Sequence, residues 1–251
     1  MRDYLAYRMA FGVATPSTNT VVQPEYDDMR PAGVTNHLGR MFIAEAPVRS
    51  DADFTKLVED INAALEPAVE SIMTAKPNAF VLGISALAVW GGNAQWGEDL
   101  KRRIRKTAGW DIPVAIATDA VFEALRLHGI KRRIAIMEPY YPVIEAKMRG
   151  VFEPRGFEIV RYNHMRGKSP ATFSVVTAKD MIEAVKAVDG PDVEAIVQFG
   201  ANLPMARIAD EAERWLGKPV ISINVATYWH ALRMNGIRDQ KAGFTELFSR
   251  F

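Results

Sequence analysis

The feature that most constrains this chain is a regular alternation of short Val- and Ile-rich runs with amphipathic stretches of roughly 12 to 20 residues. Continuous apolar runs are how strands buried on both faces read, and the stretches between them have the length of crossover helices. The pattern predicts strands near 9–15, 37–45, 79–85, 113–118, 133–138, 158–164, 195–200 and 219–224. It predicts helices from Ser50 to Ala75, Glu98 to Thr107, Asp119 to His128, Pro142 to Phe152, Ala178 to Val188, Pro204 to Leu216 and Val225 to Asn235. The class is therefore α/β, with parallel sheets flanked by helices on both faces.

An internal echo sharpens this reading. PVAIATDAVFEALRLHGI at 113–130 and PVISINVATYWHALRMNGI at 219–237 match as strand, turn, helix, Ala-Leu-Arg, two residues and Gly-Ile, with one residue of gap. Any strand followed by a glycine-stopped helix gives some such likeness, but the echo closes two stretches of similar length. It predicts two similar halves, 1–118 plus 225–251 and 119–224, facing each other across a cleft. No Pro-, Gly- or Ser-rich linker separates them.

Charge and composition exclude several functions. Thirty-one Lys and Arg against thirty Asp and Glu leave a net charge of +1, so no global field recruits nucleic acid or an anionic membrane. No apolar run is long enough to span a bilayer and the first residues lack a signal-peptide layout, so a cytoplasmic location is expected. The chain has no cysteine, which removes disulfides, thiolate metal sites and any thiol nucleophile or acid. His37, His128, His164 and His230 show no metal-ligand spacing, and neither GxGxxG nor GxxxxGK[ST] occurs, so neither a metal nor a nucleotide cofactor is expected.

Open α/β sheets bind ligands beyond the carboxyl ends of their strands. Those positions hold Pro16 to Thr20, Ile84-Ser85-Ala86, Glu138-Pro139-Tyr140-Tyr141 and Gly200-Ala201-Asn202. The hydroxyls and amides of the first loop suit a carboxylate, because neutral donors bind it without enclosing a second charge; the same residue types are preferred helix N-caps. Glu138 and Tyr140 place a carboxyl and a phenol at the end of an apolar strand, where burial would raise the carboxyl toward general-acid range, or where Pro simply makes a solvated corner. His164, near the end of its strand, is a further acid/base candidate. Trp90 and Trp96 flank the Gly91-Gly92 turn as an apolar rim suited to a lid or a subunit interface. The basic run Arg102, Arg103, Arg105 and Lys106 reads as a solvated helix face.

GVATPSTNTVVQPEY, the Arg-Pro-Ala-Gly-Val-Thr-Asn-His segment, the Pro-Tyr after a strand, the Asn-Leu after Gly200 and KPVISINVATYWHALR together resemble the maleate cis–trans isomerase and arylmalonate decarboxylase group of the aspartate/glutamate racemase superfamily. The resemblance implies two pseudo-symmetric Rossmann-like halves with the site between them. It implies a cofactor-free enzyme acting on a small carboxylate, held by Ser17, Asn19, Ala86, Gly200, Ala201 and Asn202, with Tyr140 assisting through its hydroxyl. The family's habits also imply a homo-oligomer. Its cysteines are missing: the first falls on Ile84, Ser85 or Ala86 and the second on Gly200. The expected activity is therefore a lyase or isomerase that stabilises an enolate or oxyanion without a thiol, with Tyr140, Glu138 and Ser85 as catalytic candidates. A carboxylate-binding protein and a Ser85-dependent amide or lactone hydrolase are the alternatives.

Overall fold

The computed structural model describes residues 4–251. Along the chain β1 (Met9–Pro16), α1 (Val22–Met29), β2 (Val34–Met41), α2 (Asp51–Ala63), α3 (Leu65–Met73), β3 (Ala79–Leu82), α4 (Ser85–Val89), α5 (Gln95–Ala108), β4 (Val114–Ala115) and α6 (Ala117–Leu127) follow one another. Then come β5 (Arg133–Glu138), α7 (Val143–Phe152), β6 (Glu158–His164), α8 (Ala178–Val188), β7 (Ala195–Gln198), α9 (Ala206–Leu216), β8 (Val220–Ser222), α10 (Ile223–Met234) and α11 (Thr245–Arg250). The strands form two four-stranded sheets, ordered β2-β1-β3-β4 and β6-β5-β7-β8. Every strand pairing is parallel. The α/β class and the two-sheet architecture stand as the sequence predicted.

The two orders are the same order, and the echo falls on equivalent elements: β4 with α6, and β8 with α10. Its Gly-Ile ending has a physical cause. Gly129 (φ +69°) and Gly236 (φ +77°) take the left-handed conformation that stops a helix. The next amide closes the turn in both: Ile130 N donates to Leu125 O and Ile237 N to Leu232 O, each at 3.0 Å. Helix α10 is buried over most of its surface, packing against α6, α1, β3 and β4.

Tight helix–sheet packing explains two glycines of the first half. A Cβ on Gly12 of β1 would lie 2.3 Å from Ile72, and one on Gly39 of β2 2.4 Å from the same side chain. Helix α3 thus rests directly on the strand backbones.

Four expectations need correction. The helix predicted over Ser50 to Ala75 is two, broken at Ala64, because Pro67 cannot donate the backbone bond a continuous helix needs there. The strand predicted over 79–85 ends at Leu82, and Ser85 opens α4, whose Ser-Ala-Leu-Ala-Val run reads equally well as strand. Trp90 and Trp96 are half-buried in their own chain: Trp96 Nε1 donates to Leu87 O at 2.6 Å, and Trp90 packs edge-on against Phe54. Arg103 is not merely solvated but grips Glu66 at 2.7 and 2.9 Å and Asn62 at 2.7 Å, tying α5 to α2 and α3.

Candidate active site

The carboxyl ends of β1, β3, β5 and β7 converge on a cavity of about 450 Å³ including its mouth. The β1 loop contributes Pro16, Thr18 and Asn19; Ile84 and Ala86 come from the start of α4; Tyr140 follows β5; Gly200, Ala201 and Asn202 follow β7. Ile43, Phe173 and one face of α2, namely Phe54, Leu57, Val58 and Ile61, complete it. No charged side chain lines it among the described residues.

Loops from both halves are tied to one another by hydrogen bonds. Val48 N donates to Lys168 O at 2.8 Å, the Tyr141 hydroxyl to Val48 O at 2.6 Å, and Ala171 N to Glu45 Oε2 at 3.1 Å. Asn202 is the central tie: its Oδ1 accepts from Thr20 N and its Nδ2 donates to Pro170 O, both at 3.0 Å. Its side chain is thus fixed in place by one bond at each end, and its second Nδ2 hydrogen and its backbone N–H remain as donors. Ser17 is likewise occupied, since its Oγ accepts from Ile43 N at 3.1 Å and donates to Ile43 O at 3.3 Å. It is not among the residues that line the cavity.

Asn19 answers both readings of its loop. Its Oδ1 accepts from Val21 N and Val22 N at 2.9 Å each, capping α1, while its Nδ2 makes no hydrogen bond to the described residues. The amides of Thr18, Ala201 and Asn202 also donate to none of them. Neutral donors from the β1 and β7 loops and the apolar face of α2 therefore line the same cavity.

Tyr140 is buried beside these donors. Its hydroxyl lies 2.8 Å from Ser85 Oγ. Ser85 Oγ also accepts Gly200 N–H at 2.9 Å. When Ser85 donates to the phenol, the phenolic proton is free for a ligand. Burial pushes the Tyr140 pKa well above the ordinary tyrosine value. Ser85 itself is fully buried, does not line the cavity and, among the described residues, its hydroxyl bonds only to Tyr140 and Gly200, so no base of the kind a serine hydrolase needs is beside it there.

Glu138 also lies behind the wall rather than in it. It is fully buried, one carboxylate oxygen accepting the Tyr140 backbone N–H and the other meeting His164 Nδ1. His128 and His230 are away from the cavity. Composition and spacing missed the α2 face, because Phe54, Leu57, Val58 and Ile61 have the i, i+3, i+4, i+7 spacing of any core-facing helix.

The β7 loop is braced from behind by Glu25 on α1. Its carboxylate accepts from Asn224 Nδ2 at 2.7 Å and Ala206 N at 3.0 Å, and Asn224 also donates to Ala201 O at 3.0 Å. Burial lifts Glu25 from the ordinary 4.5 up to about 7. A carboxyl raised on folding holds its proton more tightly in the folded state, so its contribution is full below pH ~4.5 and is lost as pH rises through about 7. Glu213, also raised to about 7 by burial, acts in the same sense. Urea unfolding is expected to show stability falling between pH 5 and 8, about 3 kcal/mol of it from Glu25. Glu25→Gln should remove roughly half of that slope; an unchanged slope would show that Glu25 is ionised at pH 5 in the fold.

Two pseudo-equivalent sheets with a cavity at the carboxyl ends of their strands define a class of protein, and the comparisons agree on which one. The arylmalonate decarboxylase family model matches residues 46–248, and the chain belongs to that family. Among curated proteins none matches the sequence. The maleate cis–trans isomerase of Nocardia farcinica, bound to Tris, has the same fold with a TM-score of 0.84 at 22% identity, over 96% of this chain and 98% of that one. A Cys-to-Ala mutant of maleate isomerase Iso from Pseudomonas putida S16, solved with maleate, gives 0.84 at 19% identity, over 96% and 97%. A crystal structure of arylmalonate decarboxylase gives 0.71 at 19% identity, over 96% and 100%. The family resemblance read from the sequence is thereby established.

Proposed function

We propose that this protein is a cofactor-independent lyase that decarboxylates a small dicarboxylate bearing an apolar substituent, a substituted malonate in chemical class. The observation that carries the reading is that the cavity combines unpaired neutral donors of the β1 and β7 loops with the apolar α2 face and has no charged side chain in its lining among the described residues. One carboxylate would be held by Asn19 Nδ2, Thr18 and the amides of Ala201 and Asn202. The second would lie against Phe54, Leu57, Val58 and Ile61, where an anion has lost its water and gained no partner.

Such an arrangement favours loss of that group as neutral CO2. The bond from Cα to the unpaired carboxylate breaks, and its electron pair moves into the retained carboxylate as an enediolate. The donors and the Tyr140 hydroxyl stabilise this developing charge. A proton then passes from Tyr140 to Cα, since an enediolate carbon is a far stronger base than a phenolate, and water restores the phenol after product leaves. Ser85 orients Tyr140 and Glu138 fixes its backbone; neither touches substrate.

Isomerisation fits less well. A Nocardia farcinica maleate isomerase mutant was solved with a covalently bound succinylcysteine intermediate, and this chain has no thiol to form one. The test is proton NMR in deuterated water with aryl- and alkylmalonates, maleate and amino diacids. The expected result is loss of CO2 from a substituted malonate with one deuterium at Cα of the product. Saturable binding without turnover would replace the lyase with a carboxylate-binding protein, and conversion of maleate to fumarate would replace it with a thiol-free isomerase.

A further inference from the structure

Behind Tyr140 a line of ionisable groups runs from the interior to the surface. Glu138, at the end of β5, is paired in register with His164 at the end of β6. Its carboxylate meets only donors, His164 Nδ1 and the Tyr140 N–H. The other ring nitrogen, Nε2, lies 2.6 Å from Glu145 Oε1 on α7, and the Glu145 side chain is 37% exposed. Tyr162 stacks on the imidazole at 5.5 Å and 13°. The remaining charge nearby is Arg149 over the Tyr162 ring, paired in turn with Glu153.

A carboxylate accepts and cannot donate, so an imidazole with a carboxylate at each nitrogen satisfies both only when both nitrogens carry hydrogen. Burial pushes the Glu138 pKa up while the His164 and Tyr140 N–H bonds oppose that rise, so ionised Glu138 depends on the His164 charge, and loss of that proton would leave it, with no solvent contact, as an uncompensated buried charge. Its contact with the Tyr140 amide, and hence the placement of the Tyr140 hydroxyl, would loosen. Burial alone would lower the His164 pKa, but the hydrogen bonds and charges of Glu138 and Glu145 outweigh it and hold His164 above the ordinary histidine value.

We propose that Glu138, His164 and Glu145 form a relay that positions Tyr140, and that the site is competent only while His164 is protonated. The proposal rests on the role given to Tyr140 above. It makes His164 and Glu138 positioning residues and predicts an alkaline limb in the rate profile, activity falling as His164 loses its proton. Glu145, half-exposed and remote from the cavity lining, controls where that limb falls.

The test is the Glu145→Gln variant of the whole protein, read in two ways. Histidine-ring NMR across pH 5 to 10 follows His164 directly, its signal assigned by His164→Asn. In parallel, kcat for a substituted malonate, and the Kd for phenylacetate as a non-reacting carboxylate probe, are measured over the same range. The expected result is that Glu145→Gln lowers the His164 titration by about one pH unit and moves the alkaline limb of kcat and of binding equally, with KM at pH 6 within about twofold. A His164 that is neutral at pH 7 in the wild type, or a ring titration that moves while both limbs stay, overturns the relay. Absence of turnover with the binding limb still tracking His164 supports the relay and rejects the lyase reading alone.

Discussion

Tyr140→Phe is expected to lower kcat for the decarboxylated substrate by roughly 100- to 1,000-fold, the usual cost of deleting one oxyanion-stabilising donor. The ring is held independently of its hydroxyl, packed against Phe54 at 5.0 Å and Phe173 at 6.3 Å between centroids, so the substitution removes one oxygen and little else. Ser85 keeps its bond from Gly200 N, and the lost Ser85–Tyr140 hydrogen bond should cost about 1 kcal/mol of stability. KM should rise as well, because the Tyr140 hydroxyl is one of the groups that meet the carboxylate, although the donors on the β1 and β7 loops remain. Steady-state kinetics beside a thermal melt separate these effects. Full activity in a stably folded Tyr140→Phe protein would transfer both the donor role and the proton to another group.

Much of this site was legible in the sequence, and the illegible parts share one cause. The loops after β1, β3, β5 and β7 could be located because strand ends in a parallel sheet are fixed by the pattern of apolar runs. The roles of individual polar atoms could not. Ser17 and Asn202 have the chemistry of carboxylate ligands, yet their side chains tie loop to loop, and only the partners of each atom, in segments up to 182 residues away, decide that. Glu138 looked like an acid facing a cleft, but His164, 26 residues on, draws it to the far side of Tyr140. Helix α2 presents the same difficulty in apolar form, since Phe54, Leu57, Val58 and Ile61 have a core-facing pattern whether the helix covers a sheet or a ligand.

At Gly200, after β7, the packing bears on whether a side chain of any kind, a thiol included, could be seated there. Gly200 sits at φ +103°, where a side chain is strained, and an added Cβ would fall 2.4 Å from Pro139 Cδ and 2.8 Å from its Cγ. Pro139 is a rigid ring in the corner that carries Glu138 and Tyr140, so it cannot turn aside as a flexible side chain would. Gly200→Ala is therefore expected to cost roughly 2–5 kcal/mol, about 1–2 from backbone strain and about 1–3 from overpacking. The melting temperature should drop by roughly 5–15 °C. Gly200→Cys should behave no better and should not gain thiol chemistry, because seating its Cβ displaces the Pro139–Tyr140 corner and pulls Gly200 N from Ser85. If the clash is the cause, Pro139→Ala should recover part of the loss in a Gly200→Ala background, giving a clear departure from additivity. Additive effects, or a Gly200→Cys protein that melts with the wild type, would mean that the corner is soft and that a cysteine can be seated there by one substitution.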